Sequence, residues 1–176
     1  VDILGHFDSA EYESRIINRI KDYCLKDYLR FHGWREDSHD WYAKADIVCS
    51  PSHAESFGRS IVEGMAAGCP IVATCCGGPE EIVLHNETGL LVQPGSPVDL
   101  AESLACLLES PIMARSMGEK GHIRAAECYD LRKSADAWVE VIHNALTTTS
   151  KYPASGLSEF MLAVIKEPAP RVLLGK

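Results

Sequence analysis

The stretch that decides the fold is PSHAESFGRSIVEGMAAGCPIVAT, residues 51–74. Its first two residues end DIVCSPS (46–52), a short apolar run that predicts a strand ending in a turn. Within the stretch, SFGRSIVEGMAAG (56–68) has apolar residues at helical spacing, and its last residue, Gly68, is a typical helix terminator. PIVAT (70–74) then predicts a second buried strand. Short apolar strands joined through a helix are typical of a parallel sheet.

The same alternation of strands and helices continues on both sides of this stretch. Short apolar strands separated by helices, with brief loops between them, predict an α/β fold: a Rossmann-like parallel sheet with helices on both faces. The further strands are predicted in VDILG (1–5), LRFHGW (29–34) and GLLV (89–92), and the further helices around Ile16–Ile20, over Ser38–Ala45 with Ser38 as cap, and over Glu80–Leu84.

After the last predicted strand, only helices follow. They are predicted over Ser96–Ser110, from Pro111 to about Cys128, and from a cap at Asp130 onward. We therefore expect one domain over residues 1–146 and a linker or tail of unknown role over 147–176. The chain begins directly in the strand-like VDILG, so we expect the domain to be truncated at its N-terminus.

Composition and charge limit the classes of partner. The 176 residues include 17 Lys and Arg against 25 Asp and Glu, a net charge of −8, and 46% are hydrophobic, which predicts one globular domain. Nucleic acid is not expected as a partner, because phosphate binding needs a concentrated basic surface and the basic residues here are scattered. No run approaches the roughly 18 apolar residues of a membrane span. We expect a cytoplasmic protein, and peripheral association with the cytoplasmic membrane face stays open for the whole protein.

The seven cysteines do not predict a disulfide framework or a metal site. Their number is odd, no CxxC pair occurs, and most fall in apolar helix or strand patterns, as expected of reduced, buried thiols. The exception is the pair Cys75-Cys76, which lies before two glycines but has no His or Cys partner at ligand spacing. We therefore expect no bound metal.

Ligand chemistry is expected at the loop after residues 46–52, because ligands of open parallel sheets bind beyond the carboxyl ends of the strands. The free amides and the dipole of the helix that follows suit an anion such as a diphosphate, and Gly58 permits its close approach. Glu55 and Glu63 are eight residues apart, the first in the loop and the second inside the helix. Glu63 can accept from both hydroxyls of a ribose, and Glu55 from hydroxyls of a sugar beyond the diphosphate. The alternative is that either carboxylate only balances the helix dipole.

The run of residues 51–74, followed by GGPEEI and TGLLVQPG, resembles a known family. It is similar to the C-terminal, nucleotide-sugar-binding domain of the retaining family 4 (group 1) glycosyltransferases, which have the GT-B fold. The resemblance covers about Val1 to Leu146 and is densest from Pro51 to Gly95. It implies a hexosyltransferase-type enzyme that moves a sugar from a nucleoside diphosphate sugar to an acceptor with retention of configuration. It implies no metal and no cofactor, since the nucleotide sugar is the substrate.

The resemblance also implies roles for individual residues. Glu55 is expected to be catalytic and to contact the hydroxyls of the donor sugar, and Glu63 to bind the ribose. Arg59 is either a phosphate contact or a solvated surface residue. The residues expected beside the donor sugar and diphosphate are Glu55, Ser56, Phe57, Gly58 and Arg59.

Neighbouring residues leave alternatives open. His53 either faces the sugar or makes structural hydrogen bonds. Gly77 and Gly78 are expected to be turn residues, and Glu80 and Glu81 to be dipole partners of a helix start.

The chain departs from the family pattern at two places. Gly5-His6-Phe7-Asp8 stands where the family has a G-x-G turn beside the nucleotide, and no residue is inserted between Gly78 and Pro79, where the family often has one. We therefore expect the loop geometry to differ at both places.

The resemblance further implies that two parts of the enzyme are missing from these residues. One is the N-terminal GT-B domain, which supplies the acceptor site. The other is the opening segment of the C-terminal domain, with an Arg/Lys pair that neutralises the diphosphate. This fragment alone is therefore expected to be inactive. The competing interpretations are a GT-B nucleotide-sugar epimerase and a non-catalytic nucleotide-sugar-binding domain.

Overall fold

The computed structural model describes residues 1–148, and within this range strands and helices alternate before three helices complete the described part. The predicted tail, from residue 149 onward, lies outside the described residues. The elements are β1 (Asp2–Leu4), α1 (Ala10–Asp22), β2 (Arg30–Gly33), α2 (Ser38–Tyr42), β3 (Val48–Ser50), α3 (Arg59–Ala66), β4 (Ile71–Thr74), α4 (Gly78–Ile82), β5 (Gly89–Val92), α5 (Pro97–Glu109), α6 (Pro111–Cys128) and α7 (Leu131–Thr148).

All strand pairs are parallel, which confirms the predicted α/β class. The strands lie in two sheets instead of one continuous sheet: β1 pairs with β2, and β3, β4 and β5 follow one another in that order. The β1–β2 pair is short and has a register irregularity between Ile3 and Leu4. The carboxyl ends of β3 and β4 therefore lie side by side, and the loops that leave them are brought together.

The helix predicted over residues 56–68 is shorter than expected. Gly58 adopts φ 102° and ψ 57°, a left-handed conformation that a right-handed helix cannot include, so α3 begins at Arg59. Ser56 and Phe57 consequently belong to the loop. At the other end α3 stops at Ala66, and Gly68, with φ +82°, ends the turn as predicted.

Other helix starts differ by one or two residues from the prediction. Ser38 is the first residue of α2, and Asp37 holds the cap position, but the Asp37 carboxylate binds Arg35 and does not cap the helix. The helix predicted over Glu80–Leu84 begins two residues earlier, because a proline is tolerated in a first turn. Asp130 caps α7 as predicted, accepting from the amides of the second and third helical residues.

The core lies in the half of the domain that carries the predicted site. Of residues 1–47, none is buried, whereas Ile61, Met65 and Ile71 are completely buried. Gly64 lets α3 pack directly on β3, since a Cβ there would lie 2.9 Å from Val48 Cγ2. The first turns of α3 are thus held rigidly against the sheet.

Two compact units are present, residues 1–128 and the part from Tyr129 onward, of which the structure describes α7. Among the helices described, none combines the length and apolar character needed to cross a membrane.

Candidate functional site

The loop between β3 and α3 is fixed by main-chain hydrogen bonds to the residues that follow β4. Glu55 forms a parallel bridge with Gly77. Its amide donates to the Cys76 carbonyl at 3.3 Å, and its carbonyl accepts from the Gly78 amide at 2.8 Å. The main chain of Glu55 is therefore held between the carboxyl ends of two adjacent strands, where ligands of such sheets bind.

The double glycine makes this close approach feasible. Gly77 has φ +118°, and a Cβ on it would lie 2.9 Å from the Glu55 carbonyl oxygen. A Cβ on Gly78 would overlap the carbonyl group of Phe57. Gly77 lies in the turn before α4, whereas Gly78, which was also predicted as a turn residue, is the first residue of that helix. Both glycines let the two loops touch through the main chain. The sequence signal for this role was the pair of adjacent glycines after a strand.

The Glu55 side chain folds back over its own loop. Its Oε1 accepts from the Phe57 amide at 3.3 Å, and the residue is half-buried. Phe57 itself is 46% exposed. The structure thus places Glu55, Ser56, Phe57 and Gly58 in one tight turn at the N-terminal end of α3. It also shows that the Phe57 amide already donates to a carboxylate oxygen.

Glu63 lies just over one turn into α3, on the same helix as Arg59. Arg59 Nη2 is 3.1 Å from Glu63 Oε1, and the Arg59 side chain is 85% exposed. The prediction left Arg59 as a phosphate contact or a solvated residue, and the structure adds a direct pairing with Glu63. Ion pairs of this kind on a helix surface contribute only about 0.3–0.5 kcal/mol, so the pair can exchange readily.

Tyr42, at the end of α2, lies near Glu63. Burial raises the pKa of Tyr42 to about 12, and the nearby negative charge of Glu63 acts in the same direction. Sequence reasoning did not assign Tyr42 to the site. The reason is that it lies 21 positions before Glu63 in the chain, and only the packing of α2 on α3 brings them together.

Side chains around the second loop also have structural partners. Glu80 Oε2 accepts from the Gly77 amide at 2.9 Å, so this carboxylate stabilises the turn that holds Glu55. Arg124, from α6, donates to the carbonyls of Ile82 and Glu81 at 2.8 and 2.9 Å. The position of Glu80 agrees with its predicted place at a helix start, whereas the role of Arg124 was not predicted. His53 lies beside Gly95, and it is Gly95 that belongs to the loop between β5 and α5.

A separate cleft of about 460 Å³ lies at the carboxyl ends of β1 and β2. Gly5, with φ +128°, donates to the Gly33 carbonyl at 2.8 Å, and the His6 ring stacks on Trp34 with 6.2 Å between centroids. Although the G-x-G turn is absent, a glycine with positive φ still shapes this loop. The cleft is lined by Gly5, His6, Phe7, Ser9, Ala10, Glu13, Phe31 and Gly33.

The cysteine pair and the possibility of metal ligation can be assessed from side-chain positions. Burial raises the pKa of the Cys75 thiol, which disfavours the reactive thiolate. Within residues 1–148, no three His, Cys, Asp or Glu side chains come together in a way that could hold a metal ion.

Comparison with known protein sequences identifies the family. The family model of the group 1 glycosyl transferases matches residues 1–124. The D-inositol 3-phosphate glycosyltransferase of Pseudarthrobacter chlorophenolicus is 40% identical over 85 residues, which are 48% of this chain and 20% of that protein. The N-acetyl-alpha-D-glucosaminyl L-malate synthase of Bacillus anthracis is 28% identical over 131 residues, 74% of this chain and 34% of that protein. The chain therefore spans only a fifth to about a third of these relatives.

Solved structures show the same fold. HepE of Anabaena in complex with UDP superposes with a TM-score of 0.79 and 27% identity, covering 81% of this chain and 40% of that one. Sucrose-phosphate synthase of Thermosynechococcus elongatus gives a TM-score of 0.76 and 30% identity, covering 81% and 36%.

The parallel strands, the flanking helices and these superpositions define a Rossmann-like α/β domain of the GT-B type. The chain belongs to the group 1 glycosyltransferases, and it matches the C-terminal type of domain in that family. The predicted family and fold class are confirmed.

Proposed function

We propose that this chain is the donor-binding domain of a retaining glycosyltransferase that transfers a sugar from a nucleoside diphosphate sugar to an acceptor. The observation that carries the proposal is the placement of two carboxylates, Glu55 and Glu63, around the N-terminal end of α3. The amides at that end suit the diphosphate, and carboxylates suit the hydroxyls of the sugar and the ribose. HepE, a structural relative, was solved with UDP and with UDP-glucose, which supports this class of ligand.

In this proposal each residue acts on a different part of the donor. Glu55 accepts hydrogen bonds from the transferred sugar and is the catalytic residue, and Glu63 holds the ribose. The turn formed by Ser56, Phe57 and Gly58 lies against the sugar and diphosphate. Arg59, exposed at the first turn of α3, leaves Glu63 when a diphosphate offers stronger charge.

In this proposal, binding of the acceptor and stabilisation of the leaving diphosphate are carried out by residues other than the described ones. The acceptor site and the basic pair that stabilises the leaving diphosphate belong to other segments of the whole protein, so the 176 residues alone should not catalyse transfer. No metal or cofactor takes part in the transfer. We place the protein in the cytoplasm, and peripheral contact with the cytoplasmic membrane face stays open.

The test is to replace the two carboxylates one at a time in the full-length protein. Glu63→Ala should weaken binding of the nucleoside diphosphate about 10- to 100-fold, because hydrogen bonds to a charged acceptor are lost. Glu55→Ala should lower the rate of donor turnover far more than nucleotide affinity. Calorimetry with UDP, ADP and GDP measures the affinity, and release of nucleotide from the corresponding sugars measures turnover.

Glu109→Ala, at the exposed end of α5, is the matched control and should change neither quantity. If both site variants fold and behave like this control, the site assignment is wrong. Tight nucleotide binding without turnover in the full-length protein would favour a non-catalytic binding domain, and interconversion of two nucleotide sugars would favour an epimerase.

A further inference from the structure

The loop between β3 and α3 has a second anchor, which is a side chain. The Thr74 hydroxyl, at the end of β4, donates to the Ser52 carbonyl at 2.5 Å. The same hydroxyl oxygen lies 3.4 Å from the Ser50 carbonyl oxygen and 3.4 Å from the Cys76 sulfur. Because a hydroxyl has a single proton to donate, the short bond to Ser52 takes it. The carboxyl ends of β3 and β4 are thereby joined through a side chain as well as through the main chain.

Thr74 is itself held in place by the sheet. Only 4% of the residue is exposed, and it pairs with Val92 of β5 in the parallel ladder. Threonine is branched at Cβ, which restricts rotation about its first side-chain bond. The hydroxyl therefore keeps a fixed direction, and the Ser52 carbonyl is fixed with it.

The side-chain anchor and the main-chain anchor stand three residues apart in the loop. Thr74 holds Ser52, and the residues after β4 hold Glu55, whose amide donates to the Cys76 carbonyl at 3.3 Å. The bond to Ser52 is the shorter of these two. Without it, residues 52–54 lose the contact that fixes the direction in which the chain enters Glu55.

We propose that Thr74 is a positioning residue for Glu55, and that its buried hydroxyl fixes the loop so that the Glu55 carboxylate meets the transferred sugar. This rests on the proposed function, in which Glu55 acts on that sugar. Thr74 touches no substrate itself. Its loss should slow sugar transfer and leave nucleotide binding at Glu63, inside α3, nearly unchanged.

The experiment replaces Thr74 in the full-length protein. Thr74→Val keeps the shape of the side chain and removes the hydroxyl, whereas Thr74→Ser keeps the hydroxyl. Nucleotide release from UDP-, ADP- and GDP-glucose gives kcat and KM, and the donor that reacts fastest is used for all variants. Calorimetry with the matching nucleoside diphosphate gives Kd.

The two variants should differ in kcat and agree in Kd. Thr74→Val should lower kcat about 10- to 100-fold, because a shift of about 1 Å in a catalytic group has an effect of that order. Its Kd for the nucleotide should change less than about 2-fold, since the ribose contact is not involved. Thr74→Ser should restore kcat to within about 3-fold of the wild type, because the donor is present again.

Thr88→Val is the matched control. Thr88 is also buried, and its hydroxyl oxygen accepts from the Leu84 amide at 2.9 Å, at the amino end of β5. This variant should lose stability much as Thr74→Val does, while its kcat stays near the wild type at a temperature where both are folded. Should Thr74→Val not fold, Thr74→Cys takes its place. Its thiol is a weak donor, so its kcat should lie well below that of Thr74→Ser.

The double variant Thr74→Val with Glu55→Ala tests whether the threonine acts through the glutamate. If it does, the double variant has the kcat of Glu55→Ala alone. Equal kcat in the hydroxyl-free variant and Thr74→Ser, a loss no greater than in Thr88→Val, or a further loss in the double variant would overturn the inference. If Glu55→Ala itself keeps the wild-type turnover, or no nucleotide sugar turns over, the proposed function fails as well.

Discussion

Gly78→Ala is the sharpest perturbation of the contact between the two loops. A Cβ at this position would lie within 2.5 Å of the Phe57 main-chain carbons, whereas an ordinary contact is at least 3.4 Å. The loop that carries Glu55 must therefore move by roughly 1 Å, an overpacking strain of about 1–3 kcal/mol. Gly78 does not have a positive φ, and alanine is better than glycine in a helix by up to about 1 kcal/mol, so the net destabilisation should lie between about 0 and 3 kcal/mol, with a central value of about 1.5 kcal/mol.

The effect on function should exceed the effect on stability. A displacement of about 1 Å in a catalytic group can lower a rate on the order of 100-fold. We therefore expect Gly78→Ala to melt only a few degrees below the wild type while donor turnover in the full-length protein falls at least 10-fold.

Gly118→Ala is the matched control for this prediction. A Cβ there would overlap the carbonyl of Gly68, beyond the opposite end of α3. It should lower the melting temperature similarly while turnover stays near the wild type at a temperature where the protein is folded. Normal turnover in Gly78→Ala, or an equal loss in both variants at matched stability, would refute the reasoning.

Two further predictions concern stability. Arg124→Ala removes two hydrogen bonds to the carbonyls of α4 and should lower the free energy of unfolding by about 1.5–3 kcal/mol in urea denaturation. Arg115 is exposed on the same helix, and Arg115→Ala should change the free energy of unfolding by no more than about 0.5 kcal/mol. Equal losses of stability in the two variants would contradict the role of Arg124 in holding α4. Tyr42 has a pKa of about 12 in the folded chain and about 10 when unfolded, so the stability that its retained proton contributes is present below pH ~10 and is lost as the pH rises toward 12. Tyr42→Phe should flatten this alkaline decline, and identical slopes for both proteins would show that the tyrosine titrates equally in the folded and unfolded states.

The strands and helices could be predicted largely because the local signals agree. Hydrophobic period, helix terminators and caps all indicate an alternation of strands and helices, and Asp130 caps α7 as predicted. The helix predicted from Ser96 begins one residue later, with Ser96 as its cap. The predicted start of α3 was wrong by three residues, because Gly58 has a left-handed conformation that the helical spacing of the apolar residues does not reveal.

The sequence predicted which residues belong to the candidate site, but not what they contact. Glu55 and Glu63 were predicted from spacing and from the family pattern, both of which are properties of the linear sequence. Tyr42 and Arg124 contact residues of other elements, and these contacts depend on which helices and loops pack together. Such partners carry no motif, since any donor or acceptor of suitable reach could occupy the same position.

The two carboxylates are held by different means, and this difference has a functional consequence. Glu55 is fixed through its main chain, by bonds to the residues after β4, while its side chain contacts only its own loop in the bonds described. Glu63 lies on α3, and its side chain is paired with Arg59 on the same helix. Under the proposed function, changes in the double-glycine turn should therefore alter the sugar end of the site, and changes at Arg59 should alter the ribose end. Because no residue serves both anchors, sugar transfer and nucleotide selectivity should be separable by mutation.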